Sequence, residues 1–170
     1  ILNHLKSLLP ENMLYHDIPH TSNVENAAIR YAKLEGVTSE EMCLVRTAAL
    51  YHDSGFILNY EENEDFAISM VNSTLPKFGY SKNQIKIVCD CIHATKPKII
   101  PQTLLEQIMV DADYDYLGRP DYHVIVKKLR IELSDYGTEM TETEWLNYQL
   151  NFLKNIHQYF TVSAKNIRDY

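Results

Sequence analysis

The chain has 170 residues, of which 45% are hydrophobic and 23% charged, and its formal net charge is −7. That length suits one domain with a sizeable core, and the composition is that of an ordinary soluble globular protein. The negative balance argues against general attraction to nucleic acid or to an anionic membrane, so a phosphate-bearing ligand would need local cations or a metal to meet it.

Helix punctuation runs through the sequence in order. Four segments open on a capping-box pattern, a Ser or Thr followed three residues later by Glu or Gln: Ser22 with Glu25, Thr38 with Glu41, Ser81 with Gln84, and Thr103 with Glu106. Thr141 with Glu144 is a fifth. Each precedes an apolar stripe at helical spacing. The stripes are Val24, Ala27, Ala28, Tyr31; Val45, Ala48, Ala49, His52; Ile85, Val88, Cys89, Ile92; Leu105, Ile108, Met109, Ala112; and Trp145, Gln149, Phe152, Leu153, Ile156. Two further helices keep the period without a box, at about 63–75 and 121–136, and a last one is expected to pack in the C-terminal stretch. Gly36, Gly55, Gly79, Gly118 and Gly137 fall between these segments, where helix ends favour them. No segment alternates with the period of a strand. The expectation is all-α, a single compact helical bundle over 1–170. No apolar run approaches the roughly 20 residues of a membrane span and no basic-then-apolar leader opens the sequence, so a cytoplasmic location is expected. Cys43, Cys89 and Cys91 lack zinc-ribbon spacing and are odd in number, which predicts reduced thiols in or near the core.

His52-Asp53 is the most informative pair. It ends the apolar stretch 44–51, and an imidazole and a carboxylate are costly to bury unless they are paired or bind a metal. Two other segments supply the same chemistry, Tyr15-His16-Asp17-Ile18-Pro19-His20 upstream and Asp111-Ala112-Asp113 downstream. Helix ends from three parts of the chain can converge on one side of a core. Imidazole nitrogens and carboxylate oxygens suit first-row divalent ions, and few protein ligands leave positions open for water and substrate. The bland alternatives are a capping His20 and a metal-free hydrogen-bonded His52-Asp53 pair. Pro19 argues against regular helix at His16–His20, which places His20 just before the second helix. His93, four residues after Cys89, reads as a structural histidine or as a ligand to a second metal. The acidic run 61–65 reads as a solvated helix start, with Glu64 able to orient a site residue.

The pattern His20, His52-Asp53, Asp113 resembles the HD-domain superfamily of metal-dependent phosphohydrolases. Tyr15-His16-x-x-x-His20-Thr21-x-x-Val24 is similar to the opening motif that this superfamily shares with cyclic-nucleotide phosphodiesterases. The stretch from Ala48 through His52-Asp53-Ser54-Gly55 resembles the central motif. Asp111-Ala112-Asp113-Tyr114-Asp115-Tyr116-Leu117-Gly118 resembles the closing segment of one bacterial subgroup. The resemblance covers about 15–118, with C-terminal helices at 121–170. It implies one divalent ion (Mn, Mg, Fe, Ni or Zn), or two if His93 takes part, held by His20, His52, Asp53 and Asp113. Helical spacing alone does not separate Asp111 from Asp113; the resemblance favours Asp113.

The activity implied is hydrolysis of a phosphate ester, a nucleotide or related phosphomonoester or phosphodiester. The metal would activate a water and polarise a phosphoryl oxygen. Asp53 and His16 would be the catalytic groups, with His16 as the acid that protonates the leaving oxygen. Lys96 and Arg119 are the candidate phosphate contacts. Tyr114 and Tyr116 could stack on a base but read more simply as packing residues. The acidic run 61–65 lies at a different distance from Asp53 than the Glu-Asp pair of HD-type (p)ppGpp hydrolases, and no Gly-Tyr-Pro extension marks a cyclic-di-GMP phosphodiesterase. The main rival is a noncatalytic HD domain that binds a nucleotide or metal in a regulatory role; a two-iron oxygenase would need more ligands. The expected partner is a small phosphate ester or nucleotide, with no nucleic acid and no membrane. Oligomeric state is not readable.

Overall fold

The computed structural model describes residues 1–168. Among them are nine α-helices and no strands: α1 Leu2–Leu8, α2 Ile18–Leu34, α3 Ser39–Tyr51, α4 Asn63–Thr74, α5 Lys82–Ala94, α6 Leu104–Asp113, α7 Tyr122–Asp135, α8 Glu142–Asn155 and α9 Val162–Arg168. Short 3-10 turns follow α3 at Ser54–Ile57, α4 at Leu75–Phe78 and α6 at Asp115–Gly118. The helical fold agrees with the all-α expectation. No helix among the described residues is long and apolar enough to cross a membrane.

Local chemistry sets most helix starts. Thr38, Ser81 and Thr141 form complete capping boxes with Glu41, Gln84 and Glu144. At α6 the Glu106 carboxylate reaches one residue further back, to the Gln102 N–H at 2.7 Å. The second helix differs from expectation. Ser22 lies inside it, and its N-cap is Asp17, whose carboxylate accepts the His20 N–H at 2.8 Å. Pro19 sits in the first turn, where a missing N–H costs nothing, so His20 belongs to the helix rather than preceding it.

The main core lies between α2, α3, α5 and α6, with α4 packed against α5. Ala27, Ala28, Ala48 and Ala49 are all buried in it. Their small side chains bring the backbones of α2 and α3 close, and Tyr31, Val45, Val88, Ile92, Ile108 and Met109 fill the remaining space. A second, smaller cluster joins Tyr15 and Tyr116 to Val126 of α7 and Trp145 of α8. On α8 the expected stripe is only partly right. Trp145 is buried and Gln149 donates to the Tyr122 hydroxyl, but Leu153 and Ile156 face solvent with Leu146 and Leu150.

Gly55 has another role than freeing a turn. A Cβ there would lie 1.8 Å from the Asn63 carbonyl oxygen, so glycine is what lets the turn after α3 meet the start of α4. Gly118 likewise lies against Arg168, with a Cβ falling 2.8–2.9 Å from that residue. Of the cysteines, Cys91 is buried, Cys89 half-buried and Cys43 exposed, and all three are free thiols.

Candidate metal centre

Three helix ends deliver the ligand atoms. His20 comes from the first turn of α2, His52 and Asp53 from the end of α3, and Asp113 is the last residue of α6. His20, His52 and Asp113 each offer an atom within 4.8 Å of the others. The two imidazole Nε2 atoms are 3.3 Å apart. Asp53 Oδ2 lies 3.2 Å from His20 Nε2 and 3.0 Å from His52 Nε2. Asp113 Oδ1 lies 3.4 and 3.6 Å from the same two nitrogens.

These spacings fit a coordinated ion. Ligand atoms about 2.0–2.2 Å from a common centre stand about 2.8–3.6 Å apart along the edges of a tetrahedron or octahedron. Asp53 Oδ2 is buried and accepts no hydrogen bond, an expensive state for a carboxylate oxygen without a cation to meet it. His52 Nδ1 donates to the Ala49 carbonyl at 2.8 Å, which leaves the Nε2 lone pair for a metal. The donor set of two imidazoles and two carboxylates therefore suits a divalent ion.

The same crowding shifts the protonation of these groups. Burial disfavours the charged form of His20, but its contacts with Asp113 and Asp53 win and raise its pKa to about 9. His52 is raised well above its ordinary value, with Asp53 and Asp113 overcoming burial. Burial would raise the carboxylates, yet the neighbouring histidines hold Asp113 near 2 and Asp53 well below its usual range. The carboxylates that would meet a cation thus also favour the charged form of both histidines.

Asp111 is now distinguishable from Asp113. Its fully buried carboxylate is turned away to the C-terminal segment, where it accepts from the backbone of Phe160 and Thr161. Burial pushes its pKa up against those hydrogen bonds. His93 is exposed and lies outside the ligand group among the described residues. The buried face of α5 runs through Ile85, Val88, Cys91 and Ile92, and His93 falls beside it. Tyr116 packs against Tyr15 and Tyr122, and Tyr114 against Phe152 and His157, which is the packing role.

His16 acquires a partner that the sequence reading missed. Glu132 of α7 has a fully buried side chain and lies 116 residues away. Its Oε1 is hydrogen-bonded to His16 Nδ1 and receives the Tyr60 hydroxyl at 3.3 Å. Its Oε2 accepts the Tyr15 and His16 backbone N–H groups at 2.7 and 3.1 Å. Burial would raise the Glu132 pKa, but the His16 contact and the two amides hold it below the usual carboxylate value. The imidazole rests on Phe56 with ring centroids 4.2 Å apart. Nδ1 is thereby committed to Glu132, and Nε2 is the nitrogen that can meet a substrate. The sequence held one signal: Glu132 continues the α7 stripe of Ile125 and Leu129, a position that buries whatever occupies it.

The rim groups are placed as follows. Lys96 pairs with Asp65 at 2.7 Å. Glu64 is partly buried rather than solvated. Burial raises its pKa, with the Asp53 and Asp113 charges adding to the rise and Lys96 opposing it. Arg119 forms a fork with Asp121 and lines a cleft of about 60 Å³ together with Tyr15, His20, Asp113, Tyr116 and Lys128.

No protein-family model matches the chain, and no curated protein matches it. Among solved structures, it is similar to a predicted HD superfamily hydrolase from an uncultured Thermotogales bacterium, with a TM-score of 0.60 and 23% identity. The match covers 90% of this chain and 87% of that one, so the two share a fold across most of their length.

Proposed function

We propose that the protein is an HD-type, metal-dependent hydrolase of a phosphate ester, with a nucleotide or related small phosphate compound as substrate. The observation that carries this reading is the convergence of two buried imidazoles and two half-buried carboxylates at polyhedral spacing, with an oxygen of Asp53 that has no hydrogen bond. The shared fold with a predicted hydrolase of the HD superfamily supports it.

In this reading His20, His52, Asp53 and Asp113 hold the ion. A divalent ion there supplies Lewis acidity to water and to a phosphoryl oxygen. His16, fixed through Nδ1 by Glu132, gives a proton from Nε2 to the leaving oxygen. Lys96 and Arg119 meet the remaining phosphate charge, exchanging their present carboxylate partners for it. The chain acts as a single domain on a small molecule in the cytoplasm.

The test is elemental analysis of the purified protein and of Asp53→Ala, repeated after adding Mn²⁺, Zn²⁺, Ni²⁺, Fe²⁺ or Mg²⁺, followed by a phosphate-ester screen with whichever metal binds. About one equivalent in the wild type, absent in the variant, together with hydrolysis that Asp53→Ala abolishes, is the expected result. Metal binding without hydrolysis of any ester would favour a regulatory domain. No metal in either protein would reduce His52-Asp53 to a structural pair.

A further inference from the structure

Asp113 is the last residue of α6, where a helix frays most readily, and a metal ligand placed there needs an external hold. Most of the hold comes from one segment of the chain. Two residues before Asp113, the buried Asp111 carboxylate accepts the Phe160 N–H at 2.8 Å on one oxygen. Its other oxygen accepts the Thr161 N–H at 2.8 Å and the Thr161 hydroxyl at 2.6 Å. One residue after Asp113, the Tyr114 carbonyl accepts the Tyr159 hydroxyl at 3.1 Å. Two residues after, both Asp115 oxygens are gripped by the Arg168 fork at 2.9 and 3.0 Å, with Arg30 and the Tyr31 hydroxyl on the same carboxylate. Five residues after, Arg168 Nη1 donates to the Gly118 carbonyl at 3.3 Å, and only a glycine there leaves room for the arginine. Asp113 itself turns to His20 and His52.

We infer that the C-terminal segment 159–168 is a brace for the metal centre, and that Arg168 and Asp111 are positioning residues for the ligand Asp113. This rests on the metal-binding reading above. The fastenings fall at four positions around one ligand. A Ser163 N–H bond to Glu35 at 2.8 Å ties the same segment to the far end of α2, away from the site, and provides an internal control. Groups that orient a metal ligand without touching the ion typically change affinity 10–100-fold when removed. Because Arg168 acts through two residues of backbone, the low end of that range applies.

The experiment measures Mn²⁺ affinity of the full chain by calorimetry, with the Mn²⁺ electron paramagnetic resonance spectrum as a second readout. Wild type, Arg168→Gln, Arg168→Lys, Asp111→Asn and Glu35→Ala are compared at a temperature where circular dichroism shows each folded. The brace predicts about a tenfold loss of affinity and a broadened spectrum in Arg168→Gln, the same direction in Asp111→Asn, and partial recovery in Arg168→Lys. Glu35→Ala loses thermal stability but keeps its Mn²⁺ affinity within about twofold. If Arg168→Gln and Asp111→Asn bind Mn²⁺ as tightly as wild type while melting earlier, the segment is only a structural strap and the inference is overturned. Failure of the wild type to bind Mn²⁺ or any other divalent ion would instead overturn the metal reading, and the brace with it.

Discussion

Helices α2, α3 and α6 carry the candidate metal ligands on ends that are sunk into the main core, whereas α7 and α8 reach that core through a small aromatic cluster and a few polar contacts. In the first region the backbone is fixed by buried Ala, Val and Ile, and His52 simply continues an apolar stripe. In the second, a buried glutamate and stacked Tyr60 and Tyr136 make the link, while Leu146, Leu150 and Leu153 of α8 face solvent. The division separates two tasks. Ligand spacing depends on dense packing, which tolerates little movement. The orientation of His16 depends on one carboxylate brought from a distant helix, so it can be lost while the metal centre stays whole.

The largest effect that would sharpen this contrast, after the loss expected in Asp53→Ala, is in Glu132→Gln. Metal content should be unchanged, while kcat for an alkyl phosphate ester falls about 100-fold, because the histidine loses its orienting anion. A p-nitrophenyl ester, whose leaving group needs no proton, should fall far less. Equal losses on both substrates would mean that Glu132 serves only the fold.

The core should break differently. Gly55→Ala forces a methyl group onto the Asn63 carbonyl and must push α4 away. A cost of about 3 kcal/mol is expected, lowering Tm by roughly 6–12 °C in a chain of this size. Thermal melts read this directly, and a Tm within about 2 °C of wild type, a shift that corresponds to no more than about 1 kcal/mol at this size, would show that the junction is not rigid.

A smaller effect lies in pH. In metal-free protein the raised His20 contributes stability that is fully present below about pH 6.5 and is lost as pH rises through about 9. The depressed Asp113 contributes stability present above about pH 3.8 and lost as pH falls through about 2. These are two sides of the same contacts, so metal-free protein should be most stable between about pH 4 and 6.5. A bound cation needs neutral imidazoles, so the metal-induced rise in Tm should grow from pH 6.5 to 9. Melting curves with and without Mn²⁺ across that range test it; a metal-induced shift that shrinks with pH would contradict the ligand assignment.

The smallest effect is expected at the rim. Lys96→Gln should raise KM about fivefold with kcat nearly unchanged, as for a group that binds ground and transition states alike. A fall in kcat alone would place Lys96 in the chemistry instead.

Much of this was legible in the chain because the signals are local. Capping boxes at Thr38, Ser81 and Thr141 satisfy their own helix ends within four residues. The apolar period places His52 on a buried face without knowledge of its neighbours. Other signals misled. Pro19 resembled a helix breaker, although Asp17 caps a helix that includes it. The Leu153 and Ile156 positions of α8 suggested a buried stripe, but the partner surface needed to cover them is absent among the described residues. The acidic run 61–65 read as a solvated helix start, but Glu64 within it is partly buried.

By itself, then, the sequence determined the helices, most of their buried faces and the residue types that could hold a metal, since each depends on interactions a few residues long. Only the tertiary structure decided that Asp113 rather than Asp111 faces His20 and His52, that Glu132 holds His16, and that Arg168 pairs with Asp115 just beyond α6. Those pairings join residues about 50 to 116 positions apart. Side-chain geometry at that separation is set by how whole helices pack, and no periodicity within one helix encodes it.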